Sequence, residues 1–325
     1  MSALTASVVI PTRNRPSQLR RCLVALLSER ITEAVVVITD PEDKSIALLE
    51  AWRQVEPRIR VVTADPALGR SGARQAGVEL ADSEVVIVID DDVVAHPGLV
   101  EGHVAAHSAE SGLVVLGYMP VQWPERAATA TLYDREYEST CRRYESGEVE
   151  VLDALWGGNL SLRKEDALKV GFTSPGFENR YHEDTHFGLR CKAAGLTGRF
   201  VRTLRADHEY SRSVKAFLRD ARSAGEARVL LEQRHGGEGT RLRPCLIHES
   251  SPAIVRPLIR MAGNPILLGM MTALLLPLTH VNGLSIPVLK LLRRMHQYRG
   301  SQATLQTTSD TPTGAEASIE TNRYQ

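Results

Sequence analysis

The chain has few cysteines, few aromatic residues and no net charge. It is 325 residues long with 5% aromatic content, and Lys plus Arg equals Asp plus Glu at 39 each. No overall field therefore favours nucleic acid as a partner. Four cysteines (Cys22, Cys141, Cys191 and Cys245) form no CxxC pair and no short regular spacing. This argues against a zinc ribbon and against a disulfide framework.

A long apolar segment is also missing at the start of the chain. The opening MSALTASVVIPTRNRP has no basic region followed by an extended hydrophobic stretch, so we expect no secretory signal. Together with the scattered cysteines, this predicts a cytoplasmic protein. The hydrophobic content of 43% is enough for a substantial core, as one large domain or one domain with an appendage.

Short apolar runs alternate with amphipathic segments through the first 120 residues. Five of these runs have the composition of buried strands: residues 7–11, 34–39, 59–63, 85–89 and 113–119. The segments between them carry apolar residues at helical spacing. This alternation predicts an α/β fold with a mostly parallel sheet and helices on both faces. In such sheets, ligands bind beyond the carboxyl ends of the strands.

Three polar loops follow predicted strands at that edge. The first strand is followed by PTRNR, the second by DPEDKS and the fourth by Asp90, Asp91 and Asp92. Adjacent carboxylates repel one another and need solvation or a cation. Mg²⁺ and Mn²⁺ prefer carboxylate oxygens and complete their shells with water and substrate phosphates. The cluster therefore indicates a metal and a nucleotide diphosphate, with a solvated turn or helix cap before Pro97 as the alternative.

The last third of the chain is less regular. Residues 252–299 are apolar but interrupted by prolines, and residues 301–325 are polar, which predicts a disordered tail. Residues 265–278 are apolar, too few to span a bilayer, and flanked by basic residues. An interfacial segment touching a membrane, a buried helical hairpin and an oligomer contact all fit this pattern.

Three segments, taken in order, resemble family 2 of the inverting glycosyltransferases, which have the GT-A fold. They are SVVIPTRNRP, LGRSGARQAGVELADSEVVIVIDDDVV and WGGNLSLRKEDALKVGFTSPGFENRYHEDTHFGLRCKAAG, and the likeness covers residues 7–208. The resemblance implies transfer of a sugar from a nucleotide diphosphate sugar to an acceptor hydroxyl or amine, with Mg²⁺ or Mn²⁺. It also implies a GT-A domain over 1–245, with a nucleotide-sugar half at 1–120 and an acceptor half at 121–245. A helical extension over 246–300 would follow.

The resemblance also assigns residues to the donor and the metal. The donor would be bound by residues of the strand-end loops and of the segment between them: Pro11, Thr12, Asn14, Asp40, Gly69, Arg74, Asp90 and Asp91. The metal would be held by Asp90 and Asp92 as a DxD pair, with His208 as an additional ligand. A departure from the family pattern is the proline after Asp40, so the nucleotide stays open between UDP, dTDP and GDP.

Asp184, in the HED segment, would be the base that deprotonates the acceptor. The acceptor side would be formed by the WGGN loop and the neighbouring acid: Trp156, Gly157, Gly158, Asn159 and Glu183. A tight turn beside a core tryptophan is the alternative for WGGN. The acceptor itself stays open among a lipid, a glycan and a small molecule.

Other functions fit parts of the sequence. His182, Glu183 and His186 match the HExxH pattern of zinc metalloproteases. Against this, the helix is expected to start near Glu183, after the first histidine. A sugar-1-phosphate nucleotidyltransferase would share the sheet, but its glycine-rich phosphate loop is missing from PTRNRP. A non-catalytic protein that binds a sugar nucleotide or glycan would have no need of Asp184.

Overall fold

The fold is built on an eight-stranded mixed sheet. The structure is a computed structural model that describes residues 4–177, 181–236 and 251–309. The strands are β1 (Ala6–Thr12), β2 (Glu33–Ile38), β3 (Ile59–Thr63), β4 (Val85–Ile89), β5 (Val93–Ala95), β6 (Leu113–Tyr118), β7 (Asn159–Arg163) and β8 (Thr197–His208). Their order across the sheet is β3-β2-β1-β4-β7-β6-β8-β5.

The first four strands in that order are parallel, and three of them, β2, β1 and β4, are buried on both faces. β1 pairs with β2 on one side and with β4 on the other. Along β1, Val8 and Ile10 pack into one core cluster and Val9 packs into the cluster on the opposite face. Alternate residues of a strand point to opposite faces, so a continuous apolar run is what a doubly covered strand requires. The predicted parallel α/β sheet is confirmed.

Helices cover both faces of the sheet. They are α1 (Pro16–Leu27), α2 (Ile46–Arg53), α3 (Gly69–Leu80), α4 (Leu99–Ala109), α5 (Ala128–Glu145), α6 (Lys164–Val170), α7 (Glu183–Ala193), α8 (Val214–His235), α9 (Arg256–Met261), α10 (Pro265–Leu275) and α11 (Ser285–Ser309). Leu19 and Leu23 of α1 belong to one core cluster, and Ala73 and Val78 of α3 belong to the other.

The second half of the sheet differs from the prediction. β5, β7 and the 12-residue β8 lie outside the five strands predicted for the first 120 residues or between them. β7 runs antiparallel to both β4 and β6. Its sequence NLSLR has only two apolar residues, so its burial between two apolar neighbours is a tertiary effect that local patterning does not reveal.

The C-terminal region is helical, and its last helix extends beyond the predicted boundary. α11 continues to Ser309, so the prediction of disorder is wrong for 301–309. Tight packing on α8 explains the extension, because a Cβ on Gly300 would lie 2.1 Å from the Arg222 carbonyl oxygen. The Ser301 hydroxyl also donates to the Gly225 carbonyl at 3.0 Å. Residues 310–325 and Cys245 lie outside the described residues.

None of the helices within the described ranges is long and apolar enough to cross a membrane.

Two buried histidines connect α4 to the underside of β7. His103 places Nδ1 2.8 Å from the Ser161 hydroxyl and Nε2 3.0 Å from Asn159 Oδ1, and His107 Nε2 is also 2.8 Å from Ser161. Burial lowers the pKa of each ring to about 4. Both rings are therefore neutral in the folded protein at neutral pH.

This network predicts acid destabilisation over a defined pH window. The unfolded rings titrate near 6.5 and the folded rings near 4, so their contribution is complete above pH 6.5 and is lost as the pH falls towards 4. For His103 the loss is on the order of 3 kcal/mol. Urea unfolding between pH 7 and 4 should show a shallower pH slope for His103→Gln than for the wild type. Equal slopes would contradict the assignment.

Candidate active site

The acidic cluster after β4 is held by the loop after β1. The Thr12 hydroxyl donates to Asp91 Oδ2 at 2.8 Å, and Arg15 Nη1 lies 3.0 Å from Asp91 Oδ1 and 2.6 Å from Asp92 Oδ2. Asp91 is 5% exposed, and burial raises its pKa to about 6 despite the opposing charge of Arg15. Thr12 therefore contacts the acidic cluster, and Asp91 lies inside the cluster, where Thr12 and Arg15 bind it.

Arg15 is a site residue that the sequence interpretation missed. It directly precedes α1, whose first residue is Pro16, and its guanidinium bridges two adjacent carboxylates. The sequence does contain a signal, since the basic loop PTRNR and the acidic DDD follow neighbouring parallel strands. Opposite charges at one sheet edge attract each other.

Asp92 and His208 form the pair with the clearest potential to hold a cation. Asp92 Oδ1 lies 3.5 Å from His208 Nε2. Burial alone would raise the pKa of Asp92, but His208 and Arg15 outweigh it and hold that pKa below its usual range. His208 Nδ1 is buried without a hydrogen-bond partner in the described part of the chain, and a cation bound between the pair would replace the proton that Nε2 shares with Asp92.

This pair fits Mg²⁺ or Mn²⁺ as part of a shell. Two ligand atoms on one such ion lie about 3 Å apart, so a small adjustment would let Asp92 and His208 share an ion. Among the described residues, no group of three or more His, Cys, Asp or Glu side chains is arranged to hold a metal. The predicted set of Asp90, Asp92 and His208 is thus only partly assembled. Water and donor phosphates would complete the shell, as is common for Mg²⁺.

Asp90 is instead bound to a buried arginine. Arg74, on α3, is 3% exposed, and its Nη2 lies 3.1 Å from Asp90 Oδ1. Its Nη1 lies 3.7 Å from Glu183 Oε1, and Arg70 contacts the same carboxylate oxygen at 3.3 Å. The predicted donor residue Arg74 and the predicted acceptor residue Glu183 are therefore joined to each other. One guanidinium connects the end of β4 to the start of α7.

Asp184 lies in the first turn of α7 and accepts two backbone hydrogen bonds. The Gly157 amide donates to Oδ2 at 2.9 Å and the Thr185 amide donates to Oδ1 at 2.8 Å. The first turn of a helix favours an ionised carboxylate, because unpaired amides and the helix dipole point towards it. A Cβ on Gly157 would lie 3.2 Å from Arg74 Nη2 and 3.4 Å from Asp184 Cβ. The glycine lets the loop pass between these two side chains.

Gly158 brings the same loop against Asp90. Its φ is +120°, and a Cβ there would lie 2.9 Å from Met119 Sδ and 3.1 Å from Asp90 Oδ2. The Asp90 amide also donates to the Gly158 carbonyl at 3.1 Å. The two glycines of WGGN therefore join the predicted base to the acidic cluster.

Asn159 requires a correction, because it does not belong to the acceptor side. It is the first residue of β7 and is fully buried. Its amide donates to the Leu204 carbonyl at 3.0 Å, and its Oδ1 lies 3.0 Å from His103 Nε2. Asn159 is part of the hydrogen-bond network beneath the sheet.

Trp156 belongs to an aromatic cluster beside His208. Its indole Nε1 donates to the Tyr133 hydroxyl at 2.9 Å. The Tyr133 ring stacks on Tyr210 at 4.2 Å between centroids and meets His208 edge-on at 5.4 Å. Sequence reasoning assigned Tyr133 to helix packing, whereas the structure places it between the WGGN loop and the predicted metal ligand.

The loops after β1 and β2 are joined near the predicted nucleoside contacts. Asn14 has φ +57°, donates through its side chain to Asp40 Oδ2 at 3.0 Å, and donates through its amide to Asp43 Oδ2 at 2.6 Å. Asp43 is buried and was missed by the sequence interpretation. Pro11 is buried within β1. Gly69 has φ +58° and begins α3, the helix that carries Arg70 and Arg74.

The histidines of the HExxH pattern are not arranged for zinc. α7 begins at Glu183, and His182 precedes it with φ +64°. His186 Nδ1 lies 2.6 Å from His235 Nε2, and its Nε2 lies 2.9 Å from the Ser174 hydroxyl. A zinc metalloprotease needs both histidines on one helix face. The structure does not provide that face.

Solved structures with a similar backbone show the fold of this protein. The structure matches a mannosyltransferase from Pyrobaculum calidifontis, solved with GDP-Man and Mn²⁺, at a TM-score of 0.55 and 15% identity, covering 95% of this chain and 87% of that one. It also matches GalNAc-T7, solved with UDP, GalNAc and Mn²⁺, at a TM-score of 0.51 and 16% identity, covering 74% and 53%. The fold is that of the GT-A glycosyltransferases.

Sequence comparison connects part of the chain with a family. Residues 7–163 match the family described as Glycosyl transferase family 2, and this match supports a glycosyltransferase of that family. Validoxylamine A glucosyltransferase from Streptomyces hygroscopicus subsp. jinggangensis is 27% identical over 218 residues, which covers 58% of this chain and 52% of the relative. The chain thus spans about half the length of that relative.

The position of Gly158 predicts a site-specific loss of activity. In Gly158→Ala, the new methyl group would push on Asp90, so we expect glycosyl transfer to fall more than about tenfold, with backbone strain costing about 1–3 kcal/mol. Gly147→Ala is a matched control, because Gly147 has φ +71° and nothing within 4 Å of its Cβ position. The control should lose stability and keep its activity. Equal loss of activity in both variants would contradict the role of Gly158.

Proposed function

We propose that this chain is a metal-dependent, inverting glycosyltransferase that transfers a sugar from a nucleotide diphosphate sugar to an acceptor hydroxyl or amine. The observation that carries the proposal is the linkage of Asp184 to the acidic cluster. Gly157 donates to Asp184, and Gly158 and Arg74 both contact Asp90. A base and a cation site are thereby joined through one loop and one guanidinium.

The donor end of the proposed site is formed by the strand-end loops. Asn14 and Asp40 supply exposed or half-buried polar groups for a nucleoside. Arg15, bound to Asp91 and Asp92, adds positive charge where a diphosphate would lie. Solved neighbours carry GDP-Man or UDP, which supports a nucleotide donor without choosing the base. UDP-, dTDP- and GDP-sugars all remain candidates.

The cation would be held by Asp92 and His208. Asp90 is bound to Arg74 and would be available as a further ligand. A bound Mg²⁺ or Mn²⁺ supplies positive charge that stabilises the leaving diphosphate as its negative charge grows. The neighbours solved with Mn²⁺ support a divalent ion. Both carboxylates lie at the end of β4 and are oriented by arginines, so the chain itself prepares the site.

Asp184 would take the proton from the acceptor. Its two backbone hydrogen bonds fix the orientation of the carboxylate. General-base help of this kind is worth about 10²- to 10⁴-fold in rate. One base and one leaving group suffice for a single displacement, which inverts the configuration at the sugar carbon. Trp156, beside Asp184's partner Gly157, supplies an aromatic surface for the acceptor.

Replacing the base tests the reaction. In Asp184→Asn the carboxylate is lost and the shape is kept, so we expect transfer to fall by about 10²- to 10⁴-fold with donor affinity nearly unchanged. Asp153→Asn is a suitable control, because Asp153 pairs with Lys192 away from the cluster. Unchanged turnover in Asp184→Asn would refute Asp184 as the base, whereas donor binding without turnover in the wild type would favour a non-catalytic sugar-nucleotide or glycan-binding protein.

A panel of UDP-, dTDP- and GDP-sugars tests the donor and the metal together. Release of free nucleoside diphosphate should require Mg²⁺ or Mn²⁺, stop on chelation and return when the ion is restored. Asp92→Asn should weaken Mn²⁺ binding measured by titration in the presence of nucleotide. Full turnover in excess chelator would refute metal dependence. Release of pyrophosphate from a nucleoside triphosphate and a sugar-1-phosphate would identify a nucleotidyltransferase.

A further inference from the structure

The outward face of α10 consists entirely of apolar residues. Ile266, Met270 and Leu274 are 71%, 65% and 76% exposed. Gly269 and Ala273 lie between them on the same face and are exposed as well. The spacing i, i+3, i+4, i+7, i+8 forms one stripe on a helix, and in a water-facing helix that stripe is normally polar. The residues of α10 that pack inward, such as Leu268, leave this stripe unpartnered by the described chain.

The stripe is the centre of a larger apolar face. Nine of the 16 exposed large hydrophobic residues in the described ranges lie between residues 254 and 284. These nine residues, which we call the apolar face, are Ile254, Leu258, Met261, Ile266, Met270, Leu274, Leu276, Val281 and Leu284. Single exposed hydrophobic residues are ordinary, but a concentration of this kind marks an interaction surface.

The charged side chains of the C-terminal segment itself are all positive, and one of them, Arg293, is paired with Glu136 of α5. From residue 251 to residue 309 the sequence contains no Asp or Glu. Its charged side chains are Arg256, Arg260, Lys290, Arg293, Arg294 and Arg299. A second copy of the chain presenting the same face would bring like charges together. The complementary partner is a surface that is both apolar and anionic.

A cleft at the edge of the stripe adds a place for an anionic group. It has a volume of about 370 Å³. Five of its lining residues come from α10 (Pro265, Leu268, Gly269, Thr272 and Ala273), and the other three are Arg222, His296 and Arg299, of which Arg222 is paired with Glu226. Arg299 Nη1 donates to the Gly263 carbonyl at 3.1 Å, which orients its guanidinium next to α10. Guanidinium groups are well suited to phosphate.

We propose that the apolar face docks on the surface of an anionic lipid bilayer. α10 would lie in the plane of the interface, with its stripe among the acyl chains and the surrounding cations on lipid phosphates. The helix has 11 residues, a length of about 16 Å, against the about 30 Å of a hydrocarbon core. It therefore lies on the membrane and does not span it. This inference rests on the exposed face and its charge, independently of the proposed reaction.

Flotation of the full chain with vesicles tests the proposal. The wild type should float with vesicles of phosphatidylcholine and phosphatidylglycerol, bind vesicles of phosphatidylcholine alone more weakly, and dissociate as salt is raised. The triple variant Ile266→Glu, Met270→Glu and Leu274→Glu should reduce the bound fraction at least about tenfold. Failure of the wild type to float, or flotation of the variant like the wild type, would overturn the proposal.

A matched control separates the stripe from net charge. Val24, Val55 and Leu168 are also exposed, at 56%, 82% and 43%, and lie outside the C-terminal helices. Changing these three to Glu adds the same charge, so this control should float like the wild type. Equal loss in both triple variants would show that net charge alone decides binding, which overturns the proposal.

Two further measurements distinguish membrane binding from dimer formation and from the proposed reaction. Light scattering after size exclusion should give a monomer for wild type and variant; a wild-type dimer that the variant dissociates, without flotation, would assign the face to a second copy and overturn the proposal. Release of nucleoside diphosphate from a soluble donor should be the same in both, so failure of the membrane proposal is separate from failure of the proposed reaction. If the glutamate variant melts early, serine at the same three positions replaces it.

Discussion

The arrangement of the site depends on one buried guanidinium shared by two carboxylates. Arg74 is 3% exposed and lies between Asp90, at the end of β4, and Glu183, at the start of α7. Burying an unpaired charge at that depth would cost free energy, so the arginine and the two carboxylates stabilise one another. Because α7 lies far along the chain from the neighbouring α3 and β4, this contact joins the two halves of the fold. Asp184 is next to Glu183, so the same contact positions Asp184.

A second arginine plays a comparable part on the donor side. Arg15 neutralises Asp91 and Asp92, so three consecutive acids can be held at the edge of a core. Each arginine binds a different part of the cluster: Arg74 binds Asp90, and Arg15 binds Asp91 and Asp92. Asp92 keeps one oxygen directed at His208. The cluster therefore offers positive charge and a partial cation shell together, which is what a diphosphate leaving group requires. The C-terminal helices attach to this body through α8 and α11 and carry a surface of a different kind.

Much of the fold could be predicted from the sequence, and less of the site. Parallel strands in the interior of a sheet have continuous apolar runs, and these runs predicted β1 to β4. β7 was missed because its burial comes from β4 and β6 on either side. The same strand explains the error at Asn159, since a Gly-Gly-Asn segment has the look of a loop while the strand starts at the asparagine. Arg15 and Asp43 act through partners on other loops, and no local pattern marks such pairs. The helical continuation to Ser309 depends on packing against α8, which the polar composition conceals.

The most direct test of this account is a double-mutant cycle between Arg74 and Asp90. Arg74→Met, Asp90→Asn and the double variant would be compared with the wild type by urea unfolding. Each single change leaves a charge without its partner, so the double variant should be more stable than the sum of the two losses predicts, by at least about 1 kcal/mol. Losses that add within about 0.5 kcal/mol would show that the two side chains are not coupled, and would contradict the shared guanidinium as the basis of the site.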